Sequence, residues 1–214
     1  MSRTRALLAG GQTVFLAALS RLLETEVDLV GIAEDGHALL RAAEELAPDI
    51  IVTEISLSRL NGLDVARQLK QADPNVEIVL LAPHPRSELV QRAFEAGVRG
   101  FVLKQSCVED LVPAIREILQ GRAYISPLLA RDVIQALARK SSGSVAPQPL
   151  TNRQRQVLQL IAEGRTTAEA ASILGISTRT IEFHRYRIMN ALGLHSTAEL
   201  TRYALEHGVV FPED

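Results

Sequence analysis

Five short runs rich in Val, Ile and Leu alternate with helix-length amphipathic segments through the first 120 residues. No other feature of the chain restricts its fold as strongly. The runs fall at 5–9, 29–33, 49–54, 77–82 and 100–103. They show little strict polar/apolar alternation, the mark of strands buried on both faces. Between them, segments 14–25, 36–46, 62–72, 87–96 and 107–120 have helical spacing. In 14–25 the set Phe15, Leu16, Leu19, Leu22 and Leu23 recurs at steps of three and four, one face of a helix. Ser106 followed by Glu109 is a capping-box signature at the start of the last segment. Five βα units in succession predict an α/β domain with a doubly wound, five-stranded parallel sheet and right-handed crossovers.

The pattern then changes. A further helix is expected over 127–139, followed by KSSGSVAPQP at 140–149, whose Ser, Gly and Pro content reads as a flexible linker. From Leu150 the chain becomes purely helical. Thr151 with Gln154, Thr166 with Glu169 and Ser196 with Glu199 are capping boxes, and Ser177 is a fourth N-cap. These starts predict an all-α domain of four short helices. The second and third are joined by Leu174-Gly175-Ile176-Ser177, a tight turn that marks a helix-turn-helix. The expected division is 1–122, a helix and linker over 123–149, and 150–214.

Composition limits the function classes. The chain has 214 residues, 47% hydrophobic and 22% charged, with 23 Lys+Arg against 25 Asp+Glu. This is a globular composition, without the excess positive charge of a protein that coats nucleic acid by charge alone. Apolar runs such as 78–82 fall far short of the roughly 18 residues of a membrane span. The N-terminus lacks a signal-peptide core. A soluble, cytoplasmic protein is expected. Its one cysteine, Cys107, permits no internal disulfide, and five scattered His make no zinc cluster. No cofactor, no metal and no catalytic residues are expected.

The third helix of the C-terminal region carries the most chemistry. Ile181, Ile188 and Leu192 form its core side. The other side presents Arg179, Glu182, His184, Arg185, Tyr186 and Arg187. Such a face suits the major groove of duplex DNA, where side chains reach base edges and phosphates together. Residues 150–214 hold seven Arg against seven acids. Non-specific affinity is therefore modest, and dimerisation or good base contacts must compensate.

The motifs LTNRQRQVL at 150–158, IAEG at 161–164, ASILGISTRTIEFH at 171–184, Ile188 and LGL at 192–194 resemble the LuxR-type helix-turn-helix. With the βα region, essentially the whole chain resembles a response regulator of the NarL/FixJ family, whose receiver is flavodoxin-like. Gln154 and Gln156 depart from the family's usual Glu. The resemblance implies that Thr180, His184, Arg185 and Arg187 approach the DNA backbone. Glu182, Phe183 and Tyr186 would lie nearest the bases, with Phe183 alternatively a packing residue. A Glu182 carboxylate could accept from a cytosine amino group. Ala198, Leu200, Thr201 and Tyr203 correspond to the family's dimer face, with inward packing as the competing role. A two-fold homodimer would read an inverted repeat in double-stranded DNA.

In a doubly wound sheet, ligands bind at the carboxyl ends of the strands. Here those ends carry Gly10, Gly11, Glu54, Ala82 and Lys104. By resemblance, AGGQ at 9–12 stands where the family has an acidic pair. Glu54 in TEISLSRLNG stands at the phospho-accepting Asp, Ala82 replaces a hydroxyl residue, Phe101 takes the switch aromatic position, and Lys104 is unchanged. Gly10 and Gly11 offer no side-chain oxygen to Mg²⁺, and Glu54 is a methylene too long for in-line transfer. A degenerate receiver working without Asp phosphorylation is expected. Glu54 would either pair with Lys104 as a permanent partial mimic or sit in an inert dimerisation platform. Two alternatives remain: a phospho-activated regulator using Glu54, and a protein-interaction module controlled by a ligand in the Gly10–Glu54–Lys104 crevice. Cys107 at a helix start is either a redox sensor, its thiol activated by the helix N-terminus, or a small buried residue. His84, between two prolines, is expected on the surface.

Overall fold

The computed structural model describes residues 3–84, 87–130 and 150–210. The chain divides into two compact units, residues 1–142 and 143–214. The expected linker at 140–149 lies outside the described residues. So does most of the helix expected over 127–139, although residues 127–130 are helical.

The first unit alternates strand and helix: β1 (Arg5–Ala9), α1 (Thr13–Leu23), β2 (Asp28–Ala33), α2 (Gly36–Leu46), β3 (Ile50–Glu54), α3 (Gly62–Ala72), β4 (Glu77–Ala82), α4 (Ser87–Glu95), β5 (Gly100–Leu103), a 3-10 turn (Lys104–Ser106), α5 (Cys107–Leu119) and β6 (Tyr124–Ile125). All neighbouring strands pair parallel, in the order β2-β1-β3-β4-β5-β6. The sheet therefore has six strands among the described residues, where five were expected. The sixth is two residues long, too short to leave a period in the sequence. Gly100 pairs with Tyr124 and Phe101 with Ile125, so the first unit runs past residue 122.

Central strands β3 and β5 are buried at every position, which explains their unbroken apolar runs. On one face, Leu16, Leu19 and Leu23 of α1 and Leu111, Ile115 and Ile118 of α5 cover Leu8, Val52, Leu81 and Val102. Ser106 departs from its expected role. It makes no side-chain cap; its hydroxyl donates to Asp110 Oδ2 at 2.7 Å, because the carboxylate one turn on is buried and needs donors.

The second unit comprises α6 (Asn152–Ala162), α7 (Thr167–Leu174), α8 (Thr178–Leu192) and α9 (Thr197–Glu206). The Thr151–Gln154 and Thr166–Glu169 capping boxes are both complete. The third is half made: Ser196 accepts from the Glu199 N–H, but Glu199 turns to the His195 N–H at 2.7 Å. Gly175 closes α7 at φ 63°, a left-handed position that favours glycine, and Ser177 caps α8 through the Thr180 N–H. Val157, Leu158, Leu160, Ala170, Ile181, Ile188, Leu200 and Ala204 form this unit's own core.

Candidate functional site

Two places concentrate chemistry, one in each unit. At the carboxyl end of the sheet, Glu54 closes β3 and is almost wholly buried, 3% exposed. Its Oε2 lies 2.9 Å from Lys104 Nζ. The ammonium also lies 4.8 Å from the centre of the Phe15 ring, a cation–π contact from α1. Glu54 Oε1 is buried and accepts no hydrogen bond from any described residue. It rests against Gly10, where a Cβ would stand only 2.7 Å away. A Cβ on Gly11 would meet nothing within 4 Å. Ala82 and Phe101 are fully buried.

Sequence reasoning missed a hydrogen-bond network that holds the chain at Leu103, one residue before Lys104. Asp110 of α5 accepts from Ser106, from Tyr124 Oη at 2.9 Å and from Ser126 Oγ. Ser126 Oγ in turn accepts from the Leu103 N–H at 3.0 Å, directly before Lys104. Burial pushes the Asp110 carboxyl up, but the three hydroxyl donors outweigh it and hold it below the usual range. Burial and the bond to Asp110 push Tyr124 up to about 12. The Ser106-x-x-x-Asp110 spacing was a usable signal. The contribution of Tyr124 and Ser126 was not, because it depends on β6 joining the sheet.

In the second unit, α8 turns two faces to different surroundings. Ile181 and Ile188 point into the core. On the opposite side Arg179, Glu182, Phe183, Tyr186, Arg187 and Asn190 are exposed. Asn190 was absent from the sequence-derived set, although it continues the Arg179–Phe183–Tyr186 stripe at helical spacing. The Arg187 guanidinium lies 5.8 Å from the centre of the Phe183 ring. Glu182 accepts from Thr167 Oγ1 at 2.8 Å, and Arg185 donates to Thr197 Oγ1 at 2.8 Å. Thr180 pairs its hydroxyl with Ser177 at 2.8 Å. His184 is half-buried; burial, then the nearby Arg153, push its pKa down. Arg153 donates to the Leu174 carbonyl at 2.8 Å and so braces the turn between α7 and α8. An opening of about 250 Å³ has Arg165, Thr166, Thr167, Arg185 and Thr197 in its lining, of which Arg185 alone belongs to the expected DNA-binding set.

Comparison with known proteins agrees with both halves. Residues 7–116 match the response regulator receiver domain, and residues 148–204 match the luxR family of bacterial regulatory proteins. The transcriptional regulatory protein MctR of Rhizobium johnstonii is 32% identical over 97% of this chain and 96% of its own. The chain belongs to the response regulator family. The RcsB response regulator of Salmonella typhimurium shares the fold with a TM-score of 0.66 at 24% identity, over 97% of this chain and 99% of that one. An RcsB structure from Salmonella enterica serovar Typhimurium bound to a promoter gives a TM-score of 0.60 at 23% identity, over 94% and 98%.

Burial separates several of the alternatives that the sequence left open for this response regulator. Leu200 is fully buried in its own domain's core and cannot line a dimer face. Tyr203 is half-buried and stacks on His207 with ring centres 3.8 Å apart, and Thr201 is half-buried, donating to the Thr197 carbonyl. Of that set, Ala198 alone is exposed. Phe183, at 56% exposed, is not a packing residue. Cys107 lies in the receiver core, where burial pushes its thiol up, opposite to what redox activation needs. His84 is exposed, as its loop suggested. Among the described residues, no helix is long and apolar enough to cross a membrane.

Proposed function

We propose that this response regulator is a sequence-specific DNA-binding transcriptional regulator that acts as a homodimer, without phosphorylation of its receiver. The observation that carries the DNA-binding half is the outward face of α8. Arg179, Phe183, Tyr186, Arg187 and Asn190 project away from a core anchored by Ile181 and Ile188. A helix-turn-helix places such a face in the major groove. RcsB, bound to a promoter in its solved structure, has the same fold. The reading assigns 1–122, extended through β6, to the receiver, the following segment to 149 to a connection, and 150–214 to DNA binding.

Independence from phosphorylation rests on the crevice. Phosphoryl transfer in a receiver uses Mg²⁺, a hard ion that takes carboxylate and water oxygens. The residues present do not fit it. Positions 10 and 11 offer no side-chain oxygen. The remaining carboxylate, Glu54, shares one oxygen with Lys104 and packs the other on Gly10. Among the described residues no group of three or more His, Cys, Asp or Glu is placed to hold a metal. In this reading the Glu54–Lys104 pair takes the place of the phosphorylated state, and no catalytic role falls to the chain.

The test is selection of bound sites from random duplex DNA by the purified, untreated protein at near-physiological salt. Recovery of an inverted repeat with half-sites about one helical turn apart supports the reading. Recovery of nothing without acetyl phosphate and Mg²⁺, but of a site with them, overturns the phosphorylation-independent part. Recovery of nothing under either condition overturns the DNA-binding part.

A further inference from the structure

The stripe of α8 opposite the core carries an aromatic ring where a solvated helix would carry a polar group. Phe183 is 56% exposed and belongs to neither the core nor the layer packed against it. Tyr186, one turn on, is 64% exposed. Around the ring stand cations and polar groups: Arg179 a turn before it, Asn190 beyond Tyr186, and the Arg187 guanidinium 5.8 Å from the ring centre. An apolar protein partner would have to strip water from these cations without replacing it. A polyanion neutralises them while the ring is buried.

Glu182, the residue best suited to accept from a cytosine amino group, is already engaged. One carboxylate oxygen takes the Thr167 hydroxyl at 2.8 Å, and the other faces Arg185 at 3.9 Å. The base-facing surface therefore centres on the two rings. Base edges in the major groove present donors, acceptors and one apolar group, the 5-methyl of thymine. A phenyl ring set against a donor or acceptor desolvates it and returns no hydrogen bond. Against the methyl it loses nothing and buries apolar surface.

Resting on the DNA-binding reading above, we propose that Phe183 determines specificity by packing on a thymine 5-methyl group in each half-site. The Arg187 guanidinium, 5.8 Å from the centre of the same ring, borders it on the helix surface.

The experiment uses the full chain and the duplex it selects. Affinity is compared with that for duplexes in which thymines are replaced, one position at a time and then all together, by deoxyuridine. This replacement removes the methyl and alters no protein atom. The expected result is one thymine position per half-site at which the change weakens binding about fourfold, the effect of one buried methyl-sized group. Phe183→Ala should bind thymine and uracil duplexes alike, while Phe183→Leu keeps part of the difference. Equal affinity of the unaltered protein for both duplexes overturns the proposal, although DNA binding stands. Discrimination that persists in Phe183→Ala also overturns it, because another residue then reads the methyl. Failure to select any duplex overturns the DNA-binding reading and this inference together.

Discussion

Glu54 fills the space that a side chain on Gly10 would need: the Cβ position of residue 10 lies 2.7 Å from Glu54 Oε1 and 3.1 Å from its Cδ. The two positions are 44 residues apart in the chain, yet what one can hold decides what the other can be. A longer acid at the end of β3 and a glycine at the end of β1 form one packed unit, which also binds Lys104.

Gly10→Ala should therefore destabilise the receiver by about 1–3 kcal/mol through overpacking. In a Glu54→Ala background the same change should cost less, leaving the contact with Leu16 Cδ2 at 3.0 Å. A double-mutant cycle by urea unfolding reads this coupling directly. Additive effects would show that the two positions do not compete for space.

Lys104→Met removes the ammonium and leaves a carboxylate that is 3% exposed without its partner. A loss of about 3 kcal/mol is expected, at the low end for a broken buried pair because Lys104 itself reaches solvent. Glu54→Gln should cost less, since the freed ammonium can hydrate. If the pair holds the receiver in its active state, Glu54→Gln also weakens self-association and DNA affinity. Unchanged sedimentation and DNA titration would leave the crevice a passive platform.

The Asp110 carboxyl is held below its ordinary value by Ser126, Ser106 and Tyr124 against the opposing effect of burial. A carboxyl depressed in the folded state stabilises it at pH above its ordinary, unfolded value. That contribution is lost as pH falls through the lower folded value. Asp110→Asn should lower stability by about 1–3 kcal/mol at neutral pH and flatten the acid side of the stability profile. Chemical unfolding at neutral pH and near pH 3 measures both effects. A variant as acid-sensitive as the parent would rule out this carboxylate as a contributor.

Leu200 and Ala198, two residues apart on α9, should separate core from surface. Leu200→Ala opens the domain core and should cost about 2–5 kcal/mol in thermal unfolding. Ala198→Arg, at an exposed position, should leave stability within about 0.5 kcal/mol. If α9 pairs with a second copy, it should weaken cooperative DNA binding. Loss of stability in Ala198→Arg would move that residue into the core.

Cys107 should react slowly with a thiol reagent in the native protein and at an ordinary rate once urea unfolds the receiver, since the residue is 4% exposed and burial pushes its thiol up. Rapid native labelling would return the residue to consideration as a sensor.

Much of the architecture was legible because its signals are local. The runs at 5–9, 77–82 and 100–103 coincide with β1, β4 and β5, and the segments at 36–46 and 62–72 with α2 and α3. N-cap chemistry also reads directly where the reciprocal partner has no better bond to make, as at Thr151 and Thr166. It fails where a competitor lies close: Ser106 turns to the buried Asp110, and Glu199 turns to the His195 N–H. β6 escaped because a two-residue strand has no period, and it pairs only because β5 lies beside it. The crevice residues were found from their places at strand ends, but the contact of Glu54 with Gly10 was not, because it depends on the distance between two strands.

By itself, then, the sequence determined the two-part architecture, the strand and helix succession and the residues at each strand end. It could do so because periodicity, caps and turn residues act over a few positions of the chain. The tertiary structure alone decided which side chains share a space: Glu54 with Gly10 and Lys104, Asp110 with Tyr124 and Ser126, Leu200 inward and Phe183 outward. These are outcomes of close packing between segments distant in sequence, where an ångström separates a contact from a clash.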